Sequence, residues 1–107
     1  MEGAESSHRK AIALKPDFVG AYYNLGTMLQ ALNRLEEAEA CFNQAIALKP
    51  DYAKAYSNLG NTLQALGRLE EAEASYAKAI ALEPDYAEAH ASLGLTLKNS
   101  ADWKMLR

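Results

Sequence analysis

The sequence predicts an all-α protein, an α-α superhelix of antiparallel helical hairpins, and three observations carry that prediction. Pro16, Pro50 and Pro84 each open a Pro-Asp-aromatic step, which sets a fixed period of 34 residues. Residues 16–49 and 50–83 agree at 22 of 34 positions, so the period reflects repeated structural units and not chance spacing. Units of this length stack, because each cannot bury its apolar face alone and borrows a neighbour's. Within each unit the apolar residues recur at helical spacing, as in Tyr22, Leu25 and Leu29 and then Ala38, Phe42 and Ala45.

Along the chain, residues 1–15 read as a second helix standing without its first, 16–49 and 50–83 as complete units, and 84–107 as a partial unit with a degraded end. All four segments belong to one array, 1–107. Proline lacks an amide hydrogen and restricts the residue before it, so Lys15, Lys49 and Glu83 are expected to end the second helices. Asp17, Asp51 and Asp85 are expected to cap the helices that follow, Asp85 with Glu88 at capping-box spacing. The first helices run to Leu32 and Leu66, where Asn33 and Gly67 tolerate a left-handed turn. Leu35-Glu36-Glu37 and Leu69-Glu70-Glu71 then start the second helices with acids near the positive helix end. These acidic runs are solvated helix starts, not paired catalytic carboxylates.

Gly26, Gly60 and Gly94 fall in mid-helix, where glycine costs roughly 1 kcal/mol relative to alanine. Close helix approach offsets that cost if Phe42 and Tyr76 wedge between the two helices of a hairpin. In the last unit Ser100, Ala101 and Leu106 stand where Leu32/Leu66, Asn33/Gly67 and Ala38/Ala72 stand earlier, so the turn signal is lost. Asp102 to Arg107 then supplies barely one turn of a second helix, or else the last first helix runs on and caps the array with Leu97, Ala101 and Trp103.

Tyr22, Leu25, Gly26 and Leu29 precede Ala38, Phe42, Ala45 and Pro50, and the same pattern returns as Tyr56, Leu59, Gly60, Leu63, Ala72, Tyr76, Ala79 and Pro84. This resembles the tetratricopeptide repeat (TPR), with its aromatic-x2-Leu-Gly, Ala-x3-aromatic and Pro signature. The text is most similar to the superhelical arrays of O-GlcNAc transferases and bacterial multi-repeat proteins. The resemblance implies a TPR solenoid and a protein-protein interaction scaffold.

Composition excludes other classes. A formal charge of -3 with no basic run argues against nucleic-acid and membrane surfaces, both of which need clustered Lys and Arg. No apolar stretch approaches the roughly 20 residues of a membrane helix, and Met1-Glu2-Gly3 does not open a signal peptide, so a cytoplasmic protein is expected. Cys41 is the single cysteine; its counterparts are Ser7 and Ser75, and it reads as a small packing residue. His8 and His90 occupy aromatic packing slots without metal-ligand partners. Neither a catalytic residue nor a metal or cofactor site is expected, and the chain does not read as an enzyme.

The inner surface of such an array is lined by first helices. Carried over from the family, the groove comprises Tyr23, Asn24, Thr27 and Gln30, then Lys54, Ser57, Asn58, Asn61 and Gln64, then Glu88, Ala91, Ser92, Leu95 and Lys98. Asn and Gln offer donor and acceptor together, which suits the main chain of an extended peptide. In the related arrays an asparagine before Leu-Gly holds peptide backbone; Asn24 and Asn58 keep it, and Ser92 departs. Some TPR domains clamp acidic chaperone tails with Lys and Asn, then Asn, then Lys and Arg. Here those slots hold Tyr23 and Thr27, Asn58, and Glu88 and Ser92, so such tails are not expected to bind. A protein or peptide is therefore the expected partner. Two other readings are a structural solenoid that self-associates head to tail as a homo-oligomer, the opening helix of one copy on the last helix of another, and the substrate-presenting arm of a larger enzyme.

Overall fold

The protein is described here by a computed structural model, which covers the backbone of residues 2–106 and the side chains of residues 3–99. Six helices follow one another over the described residues: α1 Glu2–Leu14, α2 Val19–Ala31, α3 Leu35–Leu48, α4 Ala53–Ala65, α5 Leu69–Leu82 and α6 Ala87–Leu106. Each packs on the next in the chain, and α2 and α3, like α4 and α5, form closed hairpins. First helices also touch one another, α2 to α4 and α4 to α6, whereas among the described residues the backbones of α1, α3 and α5 stay apart. The stack therefore curves with α2, α4 and α6 on its inner side, in a body 48 × 27 × 19 Å.

The turns explain this geometry. Asn33 and Gly67 adopt φ of 61° and 80°, as their residue types allow. The Asn33 and Gly67 amides donate to the carbonyls of Gln30 and Gln64, and those of Arg34 and Arg68 donate to Leu29 and Leu63. That paired bonding is a Schellman closure, which ends α2 and α4 and reverses the chain within three residues.

At the prolines the structure corrects one expectation. The N-cap residues of α2 and α4 are Phe18 and Tyr52, with no side-chain cap bond, so Asp17 and Asp51 do not cap. Asp85 likewise lies ahead of α6, which begins at Ala87. The cause is a β-turn: the amides of Phe18, Tyr52 and Tyr86 donate to the carbonyls of Lys15, Lys49 and Glu83. Proline holds the second position of that turn and aspartate the third, so the helix starts one residue beyond the reach of the carboxylate.

The core joins Leu25, Leu29, Ala38 and Phe42 to Leu59, Leu63, Ala72 and Tyr76. A methyl group on Gly26 would lie 2.8 Å from the Phe42 ring, and one on Gly60 would lie 2.6 Å from the Tyr76 ring. Among the described residues, nothing lies within 4 Å of the same position on Gly94. The first two glycines are thus required by close approach, and the third keeps the pattern without the partner.

On the outer side, Arg34 pairs with Glu37 at 2.6 Å and with Glu5 of α1 at 2.7 Å; one period on, Arg68 pairs with Glu71 at 2.6 Å and Glu39 of α3 at 2.7 Å. These bonds hold the Glu5, Glu37 and Glu71 carboxyls below their ordinary range. Arg34 and Arg68 were not singled out from the sequence. Their signal was a basic residue repeated at the period, three before one glutamate and 29 after another.

After Asn99 the last helix does not turn. α6 continues to Leu106, so of the two expectations for this end the first helix runs on and the short second helix from Asp102 is not formed. Without Asn or Gly to take positive φ, nothing ends the helix at the position where α2 and α4 stop. The side chains of Ala101 and Trp103 lie outside the described residues.

We predict that Gly60→Ala lowers stability, since overpacking against a buried ring costs about 1–3 kcal/mol and the helix-propensity gain recovers only part of it. Gly94→Ala should raise stability by up to about 1 kcal/mol, because only the propensity gain remains. Urea unfolding of the two variants checks the opposite signs.

Candidate peptide-binding surface

The inner face is built from one side of α2, α4 and α6, and an aromatic shelf supports it. Tyr23 stacks on Tyr52 with ring centroids 5.1 Å apart and meets Phe42 at 6.0 Å. Lys49 Nζ sits over the Tyr52 ring, 4.8 Å from its centre. One period on, Tyr86 lies against Ser57. Burial pushes the phenols of Tyr52, Tyr76 and Tyr86 up, so all three remain protonated hydroxyls.

Across this shelf runs a connected set of polar side chains. Asn58 Nδ2 donates to the Tyr23 hydroxyl at 2.7 Å, joining α4 to α2. Asn61 Nδ2 lies 3.4 Å from Asn58 Oδ1, and the Tyr76 hydroxyl reaches from α5 to Asn61 Oδ1. Gln64 meets the Tyr76 hydroxyl at 3.1 Å and Thr96 Oγ1 of α6 at 3.0 Å, while Thr96 also lies 2.9 Å from the Ser92 carbonyl.

Proton counting orients the Gln64 amide. Tyr76 and Thr96 carry one proton each, and each has a second acceptor, Asn61 Oδ1 and the Ser92 carbonyl respectively. An amide oxygen between the two hydroxyls would leave bonds without protons. With the amide nitrogen there instead, Gln64 donates to both hydroxyls and every bond has one proton; oxygen and nitrogen have the same shape, so the exchange is free of steric cost. Gln64 then turns its carbonyl outward. Asn58 and Asn61 each retain one N–H, and Tyr23 retains its hydroxyl proton, outside these bonds.

The sequence-predicted groove residues do not all share one environment. Asn24, Thr27, Lys54, Glu88, Ala91, Leu95 and Lys98 are exposed, and Tyr23, Gln30, Asn58, Asn61, Gln64 and Ser92 are half-buried. Ser57 is buried, beneath Tyr86. Asn58, Asn61 and Gln64 are drawn together by the network, while Thr27 turns its hydroxyl to the Tyr23 carbonyl. Tyr76 and Thr96, both fully buried beneath this face, were missed as partners in its network. The available signal was the change from Phe42 to Tyr76 beside the change from Thr27 to Asn61, a hydroxyl and its acceptor gained together. Lys54, Glu88 and Lys98 leave a net charge of only +1, so the face is polar without a strong field.

Away from this face, Cys41 is half-buried, and burial pushes its thiol up. His90 Nε2 lies 2.8 Å from the Pro84 carbonyl at the foot of α6.

Tetratricopeptide-repeat models match residues 9–40 and 53–86, and a TPR-repeat model matches 27–67. The solved first TPR of Spaghetti (RPAP3), bound to the HSP90 peptide SRMEEVD, is 31% identical over 91% of this chain and 77% of that one, with a TM-score of 0.89. The chain belongs to the tetratricopeptide-repeat family. This TPR protein is also similar to MamA, at 30% identity over 91% of its length and 57% of MamA, with a TM-score of 0.88. An O-GlcNAc transferase mutant from Thermobaculum terrenum aligns at 32% identity and a TM-score of 0.83 over 87% of this chain; the match spans 18% of the transferase. No curated protein sequence matches the chain significantly.

Tyr76→Phe should cost about 1 kcal/mol by removing one buried hydroxyl bond. Because Asn61 is a partner in that bond, combining Tyr76→Phe with Asn61→Ala should cost less than the two single changes together. A double-mutant cycle by urea unfolding measures the coupling.

Proposed function

We propose that this TPR protein is a non-enzymatic interaction module that holds an extended segment of a partner protein along α2, α4 and α6, with Asn24, Asn58, Asn61 and Gln64 engaging the segment's main chain. The observation that carries this reading is the internal network. It fixes Asn58, Asn61 and Gln64 before any ligand arrives, and it leaves two amide N–H groups and an outward carbonyl with nothing bound. Donors and an acceptor on neighbouring turns of α4 suit the alternating groups of a peptide backbone. Prior ordering also lowers the entropy lost on binding. The likeness to a TPR domain solved with a bound peptide supports the reading at the level of class.

Affinity should be modest, in the micromolar range or weaker, because few polar contacts must offset the ordering of a flexible peptide. Salt should change it little. Screening an array of extended peptides supplies a ligand, and fluorescence anisotropy then compares the protein with its Asn24→Ala/Asn58→Ala variant. Binding should fall while helicity persists; the lost Asn58–Tyr23 bond costs only about 1 kcal/mol of stability. Unchanged affinity in the double variant overturns the assignment.

The acidic peptide SRMEEVD should not bind measurably. Of the family's clamp positions only Asn58 is suited, and the exposed carboxylate of Glu88 stands where a cation would be needed. Calorimetry with that peptide tests this, and micromolar affinity would refute it. A second reading, the substrate-presenting arm of a larger enzyme, draws support from the similarity to the O-GlcNAc transferase. It uses the same inner face and adds no chemistry to this chain.

A further inference from the structure

We propose that this protein associates head to tail with a second copy of itself, α1 of one molecule docking on α6 of another to form the hairpin that α6 lacks. The argument is one of register. Ala4, His8 and Ala11 of α1 occupy the positions that Ala38, Phe42 and Ala45 hold in α3 and that Ala72, Tyr76 and Ala79 hold in α5. In α3 and α5 all three positions are sealed against a first helix. In α1, Ala4 is exposed and His8 and Ala11 are only half-buried, since α1 has a helix on one side alone.

α6 shows the complementary vacancy. Leu29 and Leu63 are 0% and 4% exposed, but Leu97 at the same position is 49% exposed. The socket at Gly26 holds Phe42 and that at Gly60 holds Tyr76, while that at Gly94 holds nothing within 4 Å among the described residues. The straight run of α6 past Asn99 does not fold back over this face. Docked by the internal repeat, a partner's α1 would bring its His8 to the Gly94 socket and its Ala4 and Ala11 beside Leu93 and Leu97. An imidazole is smaller than the phenyl and phenol rings the other two sockets accept.

A separate residue gives the same alignment. Tyr52 stacks on Tyr23 and Tyr86 lies against Ser57, but Phe18, the first of that series, is 47% exposed. The next step of the series pairs a partner's Phe18 with Ala91 on α6, which is exposed. Of the large apolar side chains exposed among the described residues, Leu14 and Phe18 lie at one end and Leu95 and Leu97 at the other, with the less exposed Leu48 between them. The joint thus continues the α4–α5 interface already present in the molecule. It uses two different surfaces, so it is heterologous and extends without closing.

Sedimentation velocity from micromolar to millimolar concentration provides the test. The mass should rise above the 11.7 kDa monomer with concentration. Leu97→Lys, which spoils only the α6 face, and Phe18→Lys, which spoils only the α1 end, should each remain monomeric with unchanged circular dichroism. Mixed together, the two variants should form a dimer and stop there, because each retains one good face. Gly94→Trp, which fills the socket from its own helix, should also prevent association. A strict monomer throughout the range, association insensitive to Leu97→Lys, or a mixture that stays monomeric would each overturn the proposal.

Discussion

Everything in this molecule depends on the contact between a mid-helix glycine and the aromatic ring of the following helix. The ring of Phe42 over Gly26, and of Tyr76 over Gly60, brings two helix backbones closer than any side chain at the glycine would permit. Such proximity buries Leu25, Leu29, Leu59 and Leu63 and makes each hairpin a fixed unit. Glycine's propensity cost, roughly 1 kcal/mol, is small beside the burial of a whole aromatic side chain, worth about 1.5–3 kcal/mol, together with the leucines it brings in. Where the ring is missing, at Gly94, the same helix has an open face.

Once hairpins are rigid, their stacking is governed by two different kinds of bond on two sides. The inner side is joined by neutral groups, Tyr23 to Asn58 and Gln64 to Thr96, sheltered by neighbouring aromatics. The outer side is joined by Arg34 to Glu5 and Arg68 to Glu39, which are more exposed and screened by water and salt. The amide network on the inner side carries no formal charge, and the charged pairs on the outer side orient successive units. Asn58 and Asn61 thus help to hold the stack together, and the proposed peptide contact draws on the same two side chains.

The periodic part of the fold was legible in the sequence because each local signal agreed with the global one. Pro16, Pro50 and Pro84 mark the long-range turns, Asn33 and Gly67 the short ones, and the leucines and alanines between them fall on one helical face. Asp17 and Asp51 misled for a physical reason: aspartate suits both a helix cap and the third position of a proline turn, and only the backbone bond from Phe18 or Tyr52 chooses between them. In the groove, residue types at family positions suggested side chains for the inner face, but not that Ser57 is buried or that the Tyr76 hydroxyl reaches Asn61 from α5.

By itself the sequence determined the period, the hairpin, the family and the neutral polar character of the inner face, since all of these follow from spacing and residue chemistry along one chain. Tertiary structure decided which amide groups are already bound and which remain available, because that depends on hydroxyls contributed by Tyr23, Tyr76 and Thr96 from three different helices. It also decided the end of the array. Helix α6 continues past the point where α2 and α4 turn, and whether that uncovers or seals the face of Gly94 and Leu97 depends on where the backbone goes, which no local spacing specifies.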